Sequence, residues 1–585
     1  MLRYLRAIEP SARKDWSLAE KPGKEETMEK PWYDYYEEGV PRTFDYPEVP
    51  IDHLLEESAR TYPDRIVIIF LGKELTYQQL NDQVDRFATA MSAMGIKKGD
   101  RVACILPNCP QFVISYYGVI RAGAIFVQMN PLNSENEIQF QLADSGAETV
   151  IVPDVLDLPN KVKGVRSKTS VKRIINTSIK EYLPFPKNLL YPLVAKPAKF
   201  EKGDGIFLFK ELLANHPPSP PTVTVDQDDV ALLLYTGGTT GVSKGCMLTQ
   251  RNLVSNAIQG SLWFPKAERG KEIMLSVLPF FHSFGMTTAM NLPIYLGATM
   301  FMLLRFERDK LGAFLKDIER IRPSLFPGVP AMYQAIINFP DVGKYDLSSV
   351  KFCISGAAPL PVEVCQNFEE MTGGKLVEGY GLTEASPVTH CNPLFGKRKI
   401  GSIGLPFPDT DCEIADLETG EGPLPVGETG ELRIKGPQVM KGYWNNPEET
   451  KKCLKDGWLY SGDIAKMDEE GYFYIVDRKK DMIISGGFNV YPRDIDEVLF
   501  KHPKVKDAVA VGIPDPYRGE TIKAFVVLKE GETSTEEEII AFCRENLAKY
   551  KVPTMVEFRE ELPKTMIGKV LRKALREEEM RKQQR

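Results

Sequence analysis

Histidine is scarce in this sequence, and its cysteines lack any pairing motif: five histidines and nine cysteines stand among 585 residues, with no Cys-x-x-Cys. These absences exclude a disulfide framework and a zinc site of ligand-type spacing, and thiols scattered from Cys104 to Cys543 suit a reducing cytoplasm. An excess of positive charge is missing too. The formal net charge of −6 removes the electrostatic reason to expect nucleic acid as a partner. Met1 to Arg13 contains no apolar core of signal-peptide length, so export is not expected. Charge of either sign is absent over the 32 positions from Ile273 to Leu304, long enough to cross a bilayer. Pro279, His282, Asn291, Pro293 and two glycines break that run into IMLSVL, TAMNLPIYL and ATMFMLL, which read as a buried strand, helix and strand.

What is present describes a soluble globular protein, with 43 % hydrophobic and 26 % charged residues and too much chain for one core. A βα rhythm recurs through the first three quarters. Arg101 to Leu106 reads as a strand before a helix at Pro110 to Ala122, then a strand at Ala124 to Met129; Val350 to Ile354 precedes a helix at Pro361 to Met371. Such alternation predicts parallel sheets covered by helices, with ligands at the carboxyl ends of the strands. Around residues 411 to 445 short strands and turns predict a small β subdomain. From about Met482, strands at Ala508 to Val511 and Ala524 to Leu528 and a helix at Thr535 to Ala548 predict a smaller α+β domain. Between Lys161 and Lys202, eleven basic residues and two acidic ones enclose the apolar stretch Leu183 to Val194. This composition suits a membrane surface, but a loop-rich exposed insertion, closed by the linker His216 to Pro221, is the reading favoured.

The most specific local feature is Leu233-Leu234-Tyr235-Thr236-Gly237-Gly238-Thr239-Thr240-Gly241-Val242-Ser243-Lys244-Gly245. An apolar strand runs into a loop whose glycines let backbone N–H groups approach phosphate oxygens, while hydroxyls and Lys244 supply further donors. The spacing is not that of a Walker loop, because Lys244 follows Ser243 and precedes Gly245. Kinase-type transfer of a terminal phosphoryl group is therefore not expected.

Four further motifs follow in order: Tyr380-Gly381-Leu382-Thr383-Glu384, Tyr460-Ser461-Gly462-Asp463, Asp477-Arg478-Lys479-Lys480-Asp481 and Pro563-Lys564-Thr565-Met566-Ile567-Gly568-Lys569. With them, residues 50 to 575 resemble the AMP-forming acyl-CoA synthetases. Pro279 to Gly285, Ser355 to Leu360, Lys441 to Trp444 and Ser485 to Pro492 look most like the bacterial-type long-chain fatty-acid–CoA ligases. The resemblance implies a carboxylate attacking the α-phosphate of ATP to give acyl-AMP and pyrophosphate, then a coenzyme A thiol displacing AMP. It also implies an N-terminal extension over 1–45, a large AMP- and acyl-binding domain over 46–477, a hinge at 478–481, a small mobile domain over 482–578 and a tail at 579–585.

By the same resemblance, Thr236, Gly237, Gly238, Thr239, Thr240, Gly241, Ser243 and Lys244 would hold the β- and γ-phosphates. Glu384 would carry Mg²⁺, a sensible role for a carboxylate that would otherwise repel phosphate, and Thr383 would touch the α-phosphate. Asp463 would accept from both ribose hydroxyls with Arg478 beside it, and adenine would lie near Gly379, Tyr380 and Gly381 against Gly356, Ala357 and Ala358. Lys569 would bridge carboxylate and α-phosphate in the first half-reaction. Lys480 would mark the hinge that removes it, bringing Ser485, Gly486 and Gly487 to the pantetheine arm. His282 matches a histidine near the acyl carbonyl.

The acyl pocket is expected from the uncharged stretch after His282, from Phe326 to Met332 and from Ser386 to Val388. Each methylene discriminates by only about 1–3 kcal/mol, so the end of the tunnel sets chain length. A medium-chain or aryl acid is thus the alternative substrate. A peptide-synthetase adenylation module would need an aspartate for an amino group and a carrier after the last motif; a non-catalytic binder would lack Lys569 or Glu384; a luciferase-like oxygenase would share only the first half-reaction. Homodimerisation and peripheral contact with the inner face of a membrane are left open.

Overall fold

The computed structural model describes residues 30–198, 200, 203–236, 243–485, 488–515, 518–564 and 570–583. Two large sheets carry most of the chain. In the first, eight strands lie in the spatial order 442–443, 244–249, 230–236, 125–128, 101–104, 149–153, 173–177 and 206–208. Its inner pairs are parallel, and the pairing turns antiparallel only where 230–236 meets 244–249 and that strand meets 442–443. The second holds nine strands, in the order 405–406, 388–391, 375–381, 352–355, 325–328, 273–276, 299–302, 66–70 and 73–76. Inner strands such as Ile125–Gln128, Thr149–Pro153 and Phe352–Ser355 are short and buried on both faces, as parallel sheets covered by helices require.

The helix Pro110–Arg121 sits between these sheets and is buried along its whole length. Proline at its first turn needs no N–H donor there. Phe112 meets Phe126 of the first sheet and Phe280, which follows the second sheet's strand 273–276, at ring-centroid distances of 5.7 Å each. Gly118 is required by the neighbouring helix Tyr77–Ala93: a Cβ there would lie 2.9 Å from the Phe87 ring. Arg121 ends the helix buried, its charge met by Asp52 at 3.0 Å and Asp85 at 2.8 Å. The uncharged run resolves into the strand Ile273–Ser276, the helical turns Ser283–Tyr295 and the strand Thr299–Met302. Among the described residues no helix is long and apolar enough to cross a membrane.

A third sheet of five strands spans Asp411–Arg478, so the β region extends past the expected 445. The fourth, within Ile483–Phe558, is flanked by the helices Pro492–Lys501, Glu536–Asn546 and Arg572–Gln583 and has its own apolar core. This is the smaller C-terminal α+β unit, and the fold class is as expected.

One expectation needs correction. Residues 161–202 are not a loop-rich insertion, because Arg173–Thr177 is an inner strand of the first sheet and Lys187–Ala195 is a helix. A five-residue strand between lysine-rich turns offers too little apolar periodicity to stand out. The start of the described chain packs onto the third sheet: Trp32 is fully buried and meets Phe473 edge-on, 6.2 Å between centroids.

Candidate active site

Strands of both large sheets bring their carboxyl ends to one cavity of about 890 Å³. The strand Val230–Thr236 delivers Thr236, which faces Lys244 across an antiparallel pair, so the two ends of the hydroxyl- and glycine-rich loop come together. The strand Phe352–Ser355 leads into Gly356 and Ala357. Ala357 has φ +67°, a left-handed conformation uncommon for a residue other than glycine. The strand Lys375–Gly381 ends in Gly379, Tyr380 and Gly381 at the cavity wall. A side chain on Gly381 would place its Cβ 2.1 Å from the Pro387 carbonyl oxygen, so only glycine allows the returning chain to cross so closely.

The third sheet supplies a polar clamp. Asp463 and Arg478 are register partners on adjacent strands, with the Arg478 Nε 3.1 Å from Asp463 Oδ1. The Tyr380 hydroxyl donates to Asp463 Oδ2 at 2.5 Å, fixing the carboxylate from a second sheet. The Asp463 charge raises Arg478 above its ordinary value, and burial raises Tyr380 further. Lys480 moves the other way: burial and then the Arg478 charge lower its ammonium.

Glu384 lies on the opposite side and accepts from the Tyr443 hydroxyl at 2.8 Å. Lys244 pairs with Glu449, whose carboxylate this lysine and Lys452 hold down at about 2. Ser283 and Thr383 share a hydrogen bond at 3.2 Å, and the His282 Nδ1 accepts from the Phe284 N–H at 3.2 Å. Beyond Ile354 and Val388, which border both spaces, lies an apolar pocket of about 20 Å³ lined also by Thr287, Leu292, Phe326 and Phe407. Thr287–Asn291 forms a wider π-helical turn, a local form often found beside functional sites. The C-terminal unit closes the cavity with Val570, Leu571, Arg572, Lys573 and Arg576.

Domain models for an AMP-binding enzyme and an AMP-binding enzyme C-terminal domain match residues 55–444 and 494–569. The chain belongs to the AMP-binding enzyme family. Among its relatives, a long-chain-fatty-acid–CoA ligase of Bacillus subtilis is 49 % identical over 94 % of this chain and 98 % of its own. The corresponding ligase of Escherichia coli O6:H1 is 39 % identical over the same shares. An anthranilate CoA ligase solved with anthranoyl-AMP superimposes with a TM-score of 0.80 at 25 % identity, covering 92 % of this chain and 98 % of that one.

Within this AMP-binding enzyme, the cavity gathers Thr236, Lys244, His282, Gly356, Ala357, Gly379, Tyr380, Gly381, Thr383, Glu384, Asp463, Arg478 and Lys480. Ser243 and Ala358 do not line it. Ser485, on a strand paired with Gly519, is buried in the C-terminal unit and also stands apart. Gly237, Gly238, Thr239, Thr240, Gly241, Gly486, Gly487 and Lys569 lie outside the described residues. Tyr443 was available from the Lys441-Gly442-Tyr443-Trp444 motif, although no role was read for it. Glu449, 205 positions from Lys244, carries no sequence signal.

Proposed function

We propose that this enzyme joins a long-chain fatty acid to coenzyme A at the expense of ATP, through an acyl-AMP intermediate, in the cytoplasm. In the first half-reaction a carboxylate oxygen bonds to the α-phosphorus and the bond to pyrophosphate breaks. In the second, the thiol sulfur bonds to the acyl carbon and AMP leaves. The observation that carries the reading is the clamp of Asp463, Arg478 and Tyr380 beside the Gly379–Gly381 wall. A buried carboxylate held on both flanks is suited to accept from two neighbouring ribose hydroxyls.

Thr236, Thr383 and Lys244 would donate to the phosphates, Lys244 exchanging Glu449 for them. Glu384 suits Mg²⁺: it is a hard oxygen donor on the cavity wall, Tyr443 engages one of its oxygens, and the ion takes one or two carboxylates together with substrate phosphates. When bound, the ion would neutralise charge gathering on the phosphates. Lys569 would neutralise the attacking and attacked groups together; Val570 to Lys573 at the cavity support its placement there. Ser485 stands away from the cavity, in keeping with an arrangement for the first half-reaction and a rotation about Lys480 for the second. Nine free cysteines, eight of them buried, support a reducing compartment.

Acyl binding beyond Ile354 and Val388 would stabilise the complex by about 0.8 kcal/mol per buried methylene. The free space in that pocket, about 20 Å³, holds no acyl or aryl tail, so the pocket must open around whichever acid binds, and a medium-chain or aryl acid stands as the second reading. A panel of acids from acetate to arachidate, with benzoate, ATP, Mg²⁺ and coenzyme A, separates them by mass spectrometry of products. Thioester formation peaking at long chains supports the first reading. A peak at medium-chain or aryl acids supports the second, and AMP release without thioester contradicts both.

A further inference from the structure

Phe185, Leu189, Leu190 and Leu193 are 78 %, 66 %, 50 % and 77 % exposed. Outside this segment no large apolar side chain among the described residues exceeds 53 %. The four form one ridge. Leu189 and Leu193 stand one turn apart on the helix Lys187–Ala195, Leu190 lies beside them, and Phe185 comes just before the helix, ahead of its N-cap Pro186.

The ridge is held outward by what anchors the opposite side. The Tyr191 hydroxyl donates to Asp154 Oδ1 at 2.9 Å, Leu183 and Tyr191 pack against the main core, and the Ala198 N–H donates to the Asp154 carbonyl at 2.8 Å. Lys187 ties the helix start to the Leu71 carbonyl at 2.9 Å, in the turn that joins the second sheet's edge strand 73–76 to its neighbour 66–70. With that side tied down, the exposed side chains cannot fold back without breaking these bonds. A contiguous apolar ridge of this size marks an interaction surface rather than scattered surface residues.

Its surroundings identify the partner. From Tyr182 to Phe200 the sequence has no acidic residue, while Lys187, Lys196 and Lys199 lie within it. Lys180, Lys187 and Lys196 are exposed around the two ends of the helix. The surface is an exposed helix face flanked by cations. A fluid bilayer accepts such a face: leucine and phenylalanine enter the acyl boundary while lysines stay at the headgroups. A nine-residue helix is too short to span the hydrocarbon core.

We propose that Phe185, Leu189, Leu190 and Leu193, with Lys180, Lys187 and Lys196, form a docking surface for a bilayer carrying anionic headgroups. This assignment is independent of which acid the enzyme activates. Flotation of the full chain with phosphatidylcholine vesicles, and with vesicles also containing phosphatidylglycerol, tests it. The expected result is salt-sensitive recovery with the anionic vesicles. A Leu189→Ser/Leu193→Ser variant should bind them at least about tenfold more weakly, and Lys196→Gln about fivefold. Both should retain ATP–pyrophosphate exchange with a water-soluble acid within about twofold, showing that the fold is intact. Absence of binding to either vesicle, or equal binding by the leucine variant, overturns the proposal. So does a leucine variant that changes only the oligomeric state, since the ridge would then cover a second copy of the chain.

Discussion

The cavity has two unlike walls. One is built from strand ends of the second and third sheets, where Tyr380, Asp463 and Arg478 fix one another across sheet boundaries. The other is supplied by the fourth sheet's unit, which reaches the cavity through Val570 to Arg576 and has its own core. Among the described residues, two bonds from Arg493 join that unit to the third sheet. The Arg493 N–H donates to Asp477 Oδ2 at 2.8 Å, and its guanidinium donates to the Ile475 carbonyl at 2.5 Å. On the proposed function this difference would divide the labour: the fixed wall would serve every step that holds the nucleotide, and the attached wall only the step for which it is closed.

The strongest way to break this comparison is to distort the fixed wall. Gly381→Ala drives a Cβ into the Pro387 carbonyl, so ATP binding and both half-reactions should fall by about a hundredfold together. Isothermal titration with ATP and single-turnover assays check it; a defect confined to one half-reaction would contradict the fixed-wall account. A smaller, one-sided effect is expected from Arg493→Ala, which removes the charge-assisted bond to Ile475. Loss of about 1.5 kcal/mol from the closed arrangement should slow adenylation about tenfold and leave thioester formation from supplied acyl-AMP unchanged or faster.

A separate effect concerns stability rather than catalysis. Glu378 is buried beneath the fixed wall, accepts from the Leu360 N–H at 3.2 Å and faces the Arg493 charge. Burial raises its carboxyl from 4.5 to about 7. The folded state therefore favours the protonated form, and stability falls as pH rises from the ordinary carboxylate range through about 7, by up to about 3 kcal/mol. Glu378→Gln should raise the melting temperature above neutral pH, with the gain vanishing near the ordinary carboxylate pKa. A pH-independent gain would assign it to packing instead.

Much of this was legible in the sequence because it was local. The strand before Thr236, the helix at Pro110 and the five ordered motifs each lie within a short window, where period and residue chemistry coincide. What was hidden depends on distance along the chain. Arg173–Thr177 becomes a sheet strand only through its neighbours, Trp32 is buried by residues more than four hundred positions away, and the Lys244–Glu449 pair exists only after folding. The ridge at 185–193 shows the intermediate case: its composition was visible, but its outward face depends on Tyr191 reaching Asp154.

The most direct test measures both half-reactions in parallel for Asp463→Ala and Lys569→Ala: ATP–pyrophosphate exchange for adenylation, and coenzyme A consumption from supplied acyl-AMP for thioester formation. The account predicts that Asp463→Ala lowers both by about a hundredfold or more, whereas Lys569→Ala lowers adenylation by about a thousandfold and leaves thioester formation within a few fold. Equal losses in both half-reactions for Lys569→Ala, or a loss confined to one for Asp463→Ala, would contradict the division between the two walls.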